Sequence, residues 1–186
     1  MRIIAGSHRG LTLAALGKGD AGAHLRPTTD RVRESLFNLL LGGRYGDPVT
    51  GARVLDLFAG TGALGLEALS RGAAHVTFVD TGAKARAMIG ENVARCRAEG
   101  ATTIVRRDAT RLAAAPGAPF DLVFLDPPYG KGLGEKALAA AIAGGWIAPD
   151  ALVVWEESAG IVPPEGLCLV DSRRYSDTTI ALLRAC

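Results

Sequence analysis

The sequence predicts an α/β fold in which a mostly parallel sheet carries helices on both faces and ends in an antiparallel edge pair. From Arg53 onward, short apolar runs alternate with segments of helical periodicity. Each parallel strand needs a crossover to return the chain, and a helix usually supplies it. Residues 167–185 instead hold two strand-like runs with only a short connection, which favours antiparallel pairing at one edge of the sheet.

Two regions precede the alternating part. Residues 1–24 join short β-like runs through glycines, which predicts a small N-terminal β-hairpin extension followed by a loop. Residues 25–45 begin with residues that favour helix N-caps, and apolar side chains then recur at helical spacing until Gly42 and Gly43. We therefore predict a hairpin unit at 1–24 and a main domain at 25–186 whose first element is this helix.

The main domain then continues as strand and helix in turn. Strands are predicted at residues 53–58, 75–80, 102–108, 120–126 and 151–157, and twice within 167–185. Helices are predicted between them at residues 62–71, 83–99, 109–114 and 133–145. Several of these strands are apolar without alternation, which is typical of strands buried on both faces.

Composition limits the class of protein. A length of 186 residues suits one domain with a small appendage. The cysteines Cys96, Cys168 and Cys186 are far apart in no metal-ligand spacing, so we expect no disulfide and a reducing, cytoplasmic environment. No apolar run reaches the length of a membrane span, and the N-terminus does not resemble a signal peptide.

Positive charge is concentrated near the N-terminus. The net charge is only +2, yet residues 1–36 hold six basic residues and three acidic ones. A solvated basic edge is the simpler interpretation of charge alone. A segment that contacts phosphates is the alternative, and it would imply a nucleic-acid substrate.

A glycine loop follows the first strand of the alternating part. The sequence DLFAGTGALG places Gly60, Gly62 and Gly65 directly after a strand and at the start of a helix, and Asp80 ends the next strand. This pattern is the fingerprint of a nucleotide-containing ligand whose ribose hydroxyls bind the carboxylate. The pattern alone fits both NAD and S-adenosylmethionine.

Asp56 distinguishes the two ligands. It lies on the strand just before the loop, where its carboxylate would repel a pyrophosphate but attract the ammonium and sulfonium groups of S-adenosylmethionine. A cap for the following loop is the structural alternative. Asp108 ends the third strand, where it either binds the adenine amino group beside the Ala109 backbone N–H or caps the next helix.

The stretch FDLVFLDPPYG ends a predicted buried strand with residues that an ordinary turn does not need. Ligands of doubly wound folds bind beyond the C-terminal strand ends, so this stretch should lie beside the glycine loop. There, the Asp126 carboxylate and the Pro127 carbonyl could accept both N–H bonds of an exocyclic amino group. Tyr129 could stack on the flipped-out base. A rigid loop, with Asp126 as a cap and Tyr129 in the core, is the alternative.

Together these motifs resemble a known family. DLFAGTGALGLEALSRGA is similar to motif I of class I methyltransferases, and DPPY is similar to motif IV of amino-methyltransferases that act on nucleic acids. The N-terminal RIIAGSHRG and LRPTTDRVRESLFNLL are more specific. With them, the chain from Arg2 to the C-terminal strands resembles the RsmD family of bacterial small-subunit (16S) ribosomal RNA guanine-N2 methyltransferases.

The resemblance implies a seven-stranded Rossmann-like class I methyltransferase fold, S-adenosylmethionine as cofactor, and no metal. It implies methylation of one guanine in assembled or partly assembled small ribosomal subunits, and we expect a cytoplasmic monomer. By position, the catalytic residues are Asp126, Pro127, Pro128 and Tyr129. The cofactor-binding residues are Asp56, Phe58, Ala59, Gly60, Thr61, Gly62, Gly65, Asp80, Asp108 and Ala109. The N-terminal region is expected to bind RNA rather than complete the core, through Arg2, His8, Arg9, Arg26, Thr28, Arg31 and Arg33.

Other functions stay open at this point. A DNA adenine amino-methyltransferase uses the same tetrapeptide but usually needs a target-recognition domain, for which 186 residues leave little room. A protein-glutamine methyltransferase usually has Asn in place of Asp126. An NAD oxidoreductase is opposed by Asp56. A ribosome-assembly factor that only binds is opposed by the intact tetrapeptide and glycines.

Overall fold

One sheet organises the residues that the computed structural model describes, which are 1–14, 29–158, 160–175 and 177–186. Its strands there are β1 (Arg53–Leu57), β2 (His75–Val79), β3 (Thr102–Val105), β4 (Phe120–Leu125), β5 (Ile147–Glu157), β6 (Leu167–Tyr175) and β7 (Thr178–Ala185). They lie in the order β3-β2-β1-β4-β5-β7-β6. The first five are parallel, and β7 is antiparallel to both β5 and β6. The predicted fold class is confirmed.

Helices cover both faces of the sheet. In the described ranges they are α1 (Asp30–Leu41), α2 (Ala63–Ser70), α3 (Ala83–Arg95) and α4 (Leu133–Ala143), with 3-10 turns at Glu99–Ala101 and Ala109–Arg111. The Thr29 hydroxyl caps α1, and Gly42 ends it. α3 is shorter than predicted because Cys96 caps it and Arg97 takes a positive φ of 51°. No helix within these ranges is long and apolar enough to cross a membrane.

Each face of the sheet has its own apolar layer. Side chains of neighbouring strand residues point to opposite faces. Val54 and Phe124 therefore pack into one layer, with α1 and α2, whereas Leu55 and Val123 pack into the other, with α4. Because β1 to β5 are parallel, their carboxyl ends all lie at one edge of the sheet, which is where doubly wound folds bind their ligands.

The N-terminal segment, residues 1–14, completes the first of these layers. The Ile3 N–H donates to the Leu11 carbonyl at 2.9 Å, and an antiparallel bridge joins Arg2 and Thr12. The side chains of Ile3 and Leu13 are buried in the core. The expectation that this segment does not complete the core was therefore wrong. The boundary predicted at residue 24 lies outside the described residues and stays a prediction.

The cysteines also correct an expectation. Cys168 and Cys186 are joined by a disulfide bond, although no disulfide was expected from their spacing. The pairing follows from the hairpin of β6 and β7, in which Cys168 lies opposite Arg184 and the chain end returns beside Gly166. Cys96 is free and buried. Cysteine usage consequently no longer supports a reducing compartment.

Candidate active site

The sequence motifs meet at the carboxyl ends of the parallel strands. The glycine loop follows β1, Asp80 follows β2, and Asp108 lies beyond β3. The tetrapeptide tip, residues 126–129, follows β4. Since β1 pairs with both β2 and β4, the glycine loop lies between Asp80 and the tip. The structure thus brings the predicted cofactor and catalytic motifs to one edge of the sheet.

The glycine loop is shaped by its backbone. Gly60 and Gly62 have φ values of 58° and 76°, a region that favours glycine, and Phe58 also has a positive φ of 57°. A Cβ on Gly65 would lie 2.5 Å from the Phe78 ring, so only glycine lets α2 approach the sheet this closely. Ala59 and Thr61 are buried within the same loop.

Two carboxylates hold the loop in place. Asp80 Oδ2 accepts the Gly60 N–H at 2.9 Å, and its Oδ1 accepts the Gly82 N–H at 2.7 Å. Asp56 Oδ2 accepts the Gly65 N–H at 3.0 Å. Asp56 therefore does cap the loop, as the structural alternative predicted. This contact does not exclude ligand binding, because a carboxylate oxygen has two lone pairs.

The electrostatics of the loop suit a cationic ligand. Asp56 is only 2% exposed. Burial raises its pKa to about 8, although the Gly65 hydrogen bond lowers it, and the charge of Asp80 raises it further. A positive group nearby would favour the ionised form. The buried acid Asp56 beside a loop of left-handed glycines thus suits the cationic groups of S-adenosylmethionine better than a pyrophosphate.

Asp108 caps the turn that follows it. Its Oδ1 accepts the Thr110 N–H at 2.9 Å and the Thr110 hydroxyl at 2.7 Å. The hydrogen bonds from Thr110 lower the pKa of the exposed Asp108 carboxyl. Ala109 is buried directly behind it. In the structure without ligand, Asp108 acts as a cap. Adenine binding by Asp108 and Ala109 stays a prediction.

The tip is anchored to the end of β5. The Tyr129 hydroxyl donates to Glu156 Oε1 at 2.7 Å, and the Gly130 N–H donates to Glu157 Oε1 at 3.3 Å. Pro127 is buried and Pro128 half-buried between these contacts. The ring of Tyr129 is therefore held at the edge of the site rather than enclosed in the core.

Asp126 is the half-buried acid of the tip. Within the described part of the chain its carboxyl has no hydrogen-bond or salt-bridge partner. Its pKa is raised well above the usual range by burial and then by three nearby carboxylates, those of Glu156, Asp56 and Glu157. Such a carboxyl, held without a partner beside the glycine loop, is placed to accept a hydrogen bond from a substrate.

Sequence reasoning missed Glu156 and Glu157. Both are buried polar residues at the end of an otherwise apolar strand, with exposures of 9% and 7%. The pattern ALVVWEE could have indicated them. Successive strand residues point to opposite faces, so two consecutive acids at the end of a strand buried on both faces must each have a buried partner. No group of three or more potential metal ligands occurs in the described ranges.

Arg33 does not belong to an RNA-binding surface. Its side chain is fully buried, pairs with Asp30 at 2.9 Å and Glu67 at 3.6 Å, and donates to the Arg2 carbonyl. Its predicted contact with RNA was wrong, because the guanidinium faces the core between α1 and α2. A positive charge there balances the buried Glu67.

The other predicted RNA-binding residues divide into three groups. Arg2, Arg9 and Arg31 are exposed. His8 is half-buried, and its Nε2 lies 2.8 Å from the Cys96 carbonyl, so that the ring is already engaged. Arg26 and Thr28 lie outside the described residues. RNA binding by these residues stays a prediction.

Two helices that follow the predicted cofactor-binding segments, α2 and α3, hold the N-terminal segment. Glu67 on α2 accepts the Ile4 and Ala5 N–H groups at 2.8 and 3.1 Å. Asn92 on α3 accepts the Ala14 N–H at 2.7 Å. Neither Glu67 nor Asn92 was singled out in the sequence, because their partners lie more than sixty residues away.

Known proteins share both the sequence and the fold. The family model described as Conserved hypothetical protein 95 matches residues 1–184. Ribosomal RNA small subunit methyltransferase D of Escherichia coli (strain K12) is 40% identical over 156 residues, covering 84% of this chain and 74% of that protein. Its namesake from Haemophilus influenzae is 36% identical over 178 residues, covering 93% and 88%. The solved structure of yhhF from Escherichia coli superposes with a TM-score of 0.83 at 36% identity, covering 100% and 97%.

The fold and the site define a class I methyltransferase, whose cofactor is S-adenosylmethionine. Within that class, the chain belongs to the family of ribosomal RNA small subunit methyltransferase D. The family predicted from the motifs is thereby confirmed. The result favours a methyltransferase over the NAD oxidoreductase and the binding-only assembly factor that the sequence left open.

Proposed function

We propose that this protein methylates the exocyclic amino group of a guanine in small-subunit ribosomal RNA. The observation that carries the proposal is the position of the tip beside the glycine loop, on strands β4 and β1 that pair directly. The residues proposed to hold the amino nucleophile thus lie next to those proposed to bind the cationic cofactor. The names of the similar proteins from Escherichia coli and Haemophilus influenzae supply the class of RNA.

The cofactor residues act mainly by position and charge. S-adenosylmethionine supplies an electrophilic methyl group on its sulfonium when it is bound. Asp56 would favour its positive groups, and Asp80 would accept hydrogen bonds from the ribose hydroxyls. Gly60 and Gly62 take positive φ values, which let the loop turn tightly before α2 and leave room for the ligand beside its backbone.

The tip would orient the nucleophile. The lone pair of a guanine amino group is delocalised into the ring, which makes the nitrogen a poor nucleophile. Asp126 and the Pro127 carbonyl would accept its two N–H bonds and direct the lone pair towards the methyl group. Tyr129 would stack on the flipped-out base. Positioning and local electrostatics then supply most of the rate enhancement.

Exposed basic residues would bind the RNA backbone. Arg2, Arg9 and Arg31 are free of the core, and Arg26 precedes α1 in the sequence. Residues that neutralise phosphates make binding depend strongly on salt. We further propose that the substrate is a small ribosomal subunit or an assembly intermediate, and that the enzyme acts in the cytoplasm as a monomer.

Methyl transfer from labelled S-adenosylmethionine tests the proposal. Purified protein is incubated separately with small subunits that lack the modification, with naked small-subunit RNA, with large subunits and with DNA. We expect label in small-subunit RNA, recovered as N2-methylguanosine by mass spectrometry. Calorimetry should show binding of S-adenosylmethionine but not of NAD. Label in DNA, or a different methylated nucleoside, would contradict the proposal.

A further inference from the structure

The tip contacts strand β5 through a buried acid. Glu156 accepts the Tyr129 hydroxyl at 2.7 Å, and it lies beside Asp126 because Leu125 pairs with Trp155 in parallel register. We infer that Glu156 is a positioning residue for methyl transfer, which holds the Tyr129 ring in the orientation that stacks on the target base. The inference rests on the proposed function and adds the residue that orients its stacking ring.

A hydrogen bond at the hydroxyl restricts the ring where packing alone does not. Tyr129 is half-buried, and its ring can turn about two side-chain bonds. Each orientation that does not stack lowers the affinity for the base, so fixing the ring in advance favours binding. The bond from a phenol to a carboxylate is charge-assisted and stronger than one between neutral groups. Burial raises the pKa of Tyr129, so its hydroxyl keeps the proton that it donates.

Glu157 provides a matched control on the same strand. It is also buried, but its Oε1 accepts backbone N–H groups, from Gly130 at 3.3 Å and from Ser158 at 2.8 Å. Successive strand residues point to opposite faces, so the two acids hold the tip at different points. Glu156 holds the ring, and Glu157 holds the backbone after it.

Glu156 also places a negative charge near Asp126. The groups that face Asp126 are Glu156 and Glu157 from β5, Asp56 from β1 and Tyr129 from the tip itself. After burial, Glu156 contributes most to raising the pKa of Asp126, and Glu157 contributes least of the three carboxylates. Removing the charge of Glu156 should therefore lower that pKa more than removing the charge of Glu157.

A double-mutant cycle between Glu156 and Tyr129 tests the positioning role. At a pH above the acid limb of kcat/KM, where the effect of Glu156 on the pKa of Asp126 no longer matters, we expect E156A to raise the KM for RNA and to lower kcat/KM by about tenfold, the size of one charge-assisted hydrogen bond. Y129F should cause a somewhat larger loss, because it also removes the 3.4 Å contact of the Tyr129 hydroxyl with Thr178, and E156A/Y129F should lose little more than Y129F alone. E156Q keeps an acceptor and should retain most of the RNA affinity. Additive losses, or a KM for E156Q as high as that for E156A, would overturn the inference.

Tyr45 separates this effect from a general loss of stability. Its hydroxyl donates to Asp171 at 2.8 Å, and it lines a cavity with Asp121 and Asp150 near the amino ends of β4 and β5. Y45F removes a tyrosine–carboxylate bond of nearly the same length away from the site. It should lower Tm without changing KM or kcat. A rise in KM for Y45F equal to that for Y129F would contradict a local role of Glu156.

The pH profile of kcat/KM provides the second test. The acid limb should move to lower pH in E156Q, and it should move less in E157Q. Equal shifts, or no shift in E156Q, would overturn the electrostatic role. The proposed function fails differently, because the wild-type enzyme would then methylate no small-subunit RNA at all. If only the Glu156 inference is wrong, the wild type still methylates small-subunit RNA, and only the kinetic constants of the variants differ from those expected.

Discussion

The side-chain amide of Asn92 donates to the carbonyl of Thr61 at 2.9 Å, deep within the protein. The same side chain accepts the Ala14 N–H at 2.7 Å. One residue of α3 therefore joins the end of the N-terminal segment to the glycine loop. Asn92 is fully buried, so its loss would leave polar backbone groups without partners and without water.

Replacement of Asn92 should weaken both folding and cofactor binding. We expect Asn92→Ala to lower the free energy of unfolding by about 1–3 kcal/mol, the cost of unpaired buried backbone groups. Because Thr61 lies in the glycine loop, affinity for S-adenosylmethionine should also fall, by roughly threefold to tenfold. Urea unfolding and calorimetry measure the two effects. Asn38→Ala, at an exposed position of α1, is the control, and unchanged cofactor affinity in Asn92→Ala would show that the loop is held independently.

Asp56 should make cofactor binding depend on pH. Its pKa is raised to about 8 by burial, with the Gly65 hydrogen bond opposing and the Asp80 charge adding. In the free protein it is protonated below that pH, and a cationic ligand favours the ionised form. Affinity for S-adenosylmethionine should therefore rise with pH up to about 8, with release of a proton on binding below it.

Stability should show the opposite trend through the same group. The unfolded chain ionises Asp56 near its ordinary pKa of about 4, whereas the folded protein keeps the proton until about pH 8. Folding thus binds a proton in this window, and the free energy of unfolding should fall as pH rises through it. Asp56→Asn should abolish both trends. Calorimetry in buffers of different ionisation enthalpy measures the released proton, and a pH-independent affinity in the wild type would contradict the assignment.

Arg33 and Arg31 on α1 should behave oppositely. Arg33→Met should lower the free energy of unfolding by about 3 kcal/mol, because it removes one partner of the buried Glu67. Arg31 is exposed, so Arg31→Glu should leave Tm nearly unchanged. Arg31→Glu should instead weaken RNA binding and reduce its salt dependence by about one ion. Normal RNA affinity in Arg31→Glu would place the RNA elsewhere.

The sheet could be predicted because its signals are local. Five apolar runs ended within a few residues of their predicted positions, and four of them carried a predicted site residue at or near the carboxyl end. The end of α3 was misplaced because its stop signal is weak in sequence. No glycine marks it, and Arg97 itself takes the left-handed conformation.

The assignment of Arg33 to the RNA-binding surface was wrong, and its position in the helical pattern could have shown this. Positions 33, 36, 37 and 40 follow the spacing of one helical face, and all four are buried in α1. A positive residue on that face must either lie at the end of the helix or find a buried acid. Glu67 is that acid, yet it lies on a helix whose residues are almost all buried, so its own pattern does not reveal it.

Contacts between distant segments could not be predicted. The bond from Tyr129 to Glu156 and the disulfide of Cys168 with Cys186 each depend on how two strands are aligned. Composition and spacing contain no information on that register. The sequence therefore predicted which residues gather at the strand ends but not which of them hold one another.

Asp126 should be required for methyl transfer but not for cofactor binding. It is assigned to the amino group of the substrate, and Asp56 is assigned to the cofactor. Asp126→Ala should lower the rate by about 10²–10³, the usual effect of removing one preorganised hydrogen-bonding group from a desolvated site. Tyr129→Ala should cost about 1–3 kcal/mol of base stacking and appear mainly as weaker RNA binding.

The rate of methyl transfer should depend on pH through Asp126. Burial and then the charges of Glu156, Asp56 and Glu157 raise its pKa. The carboxylate, which accepts hydrogen bonds better than the acid, is therefore populated only as pH rises through that raised value. The single-turnover rate of the wild type should rise with pH over this range, whereas Asp126→Asn should be slow without that rise. Near-normal turnover of Asp126→Ala at saturating RNA would mean that the tip is a rigid turn and that another group activates the amino nitrogen.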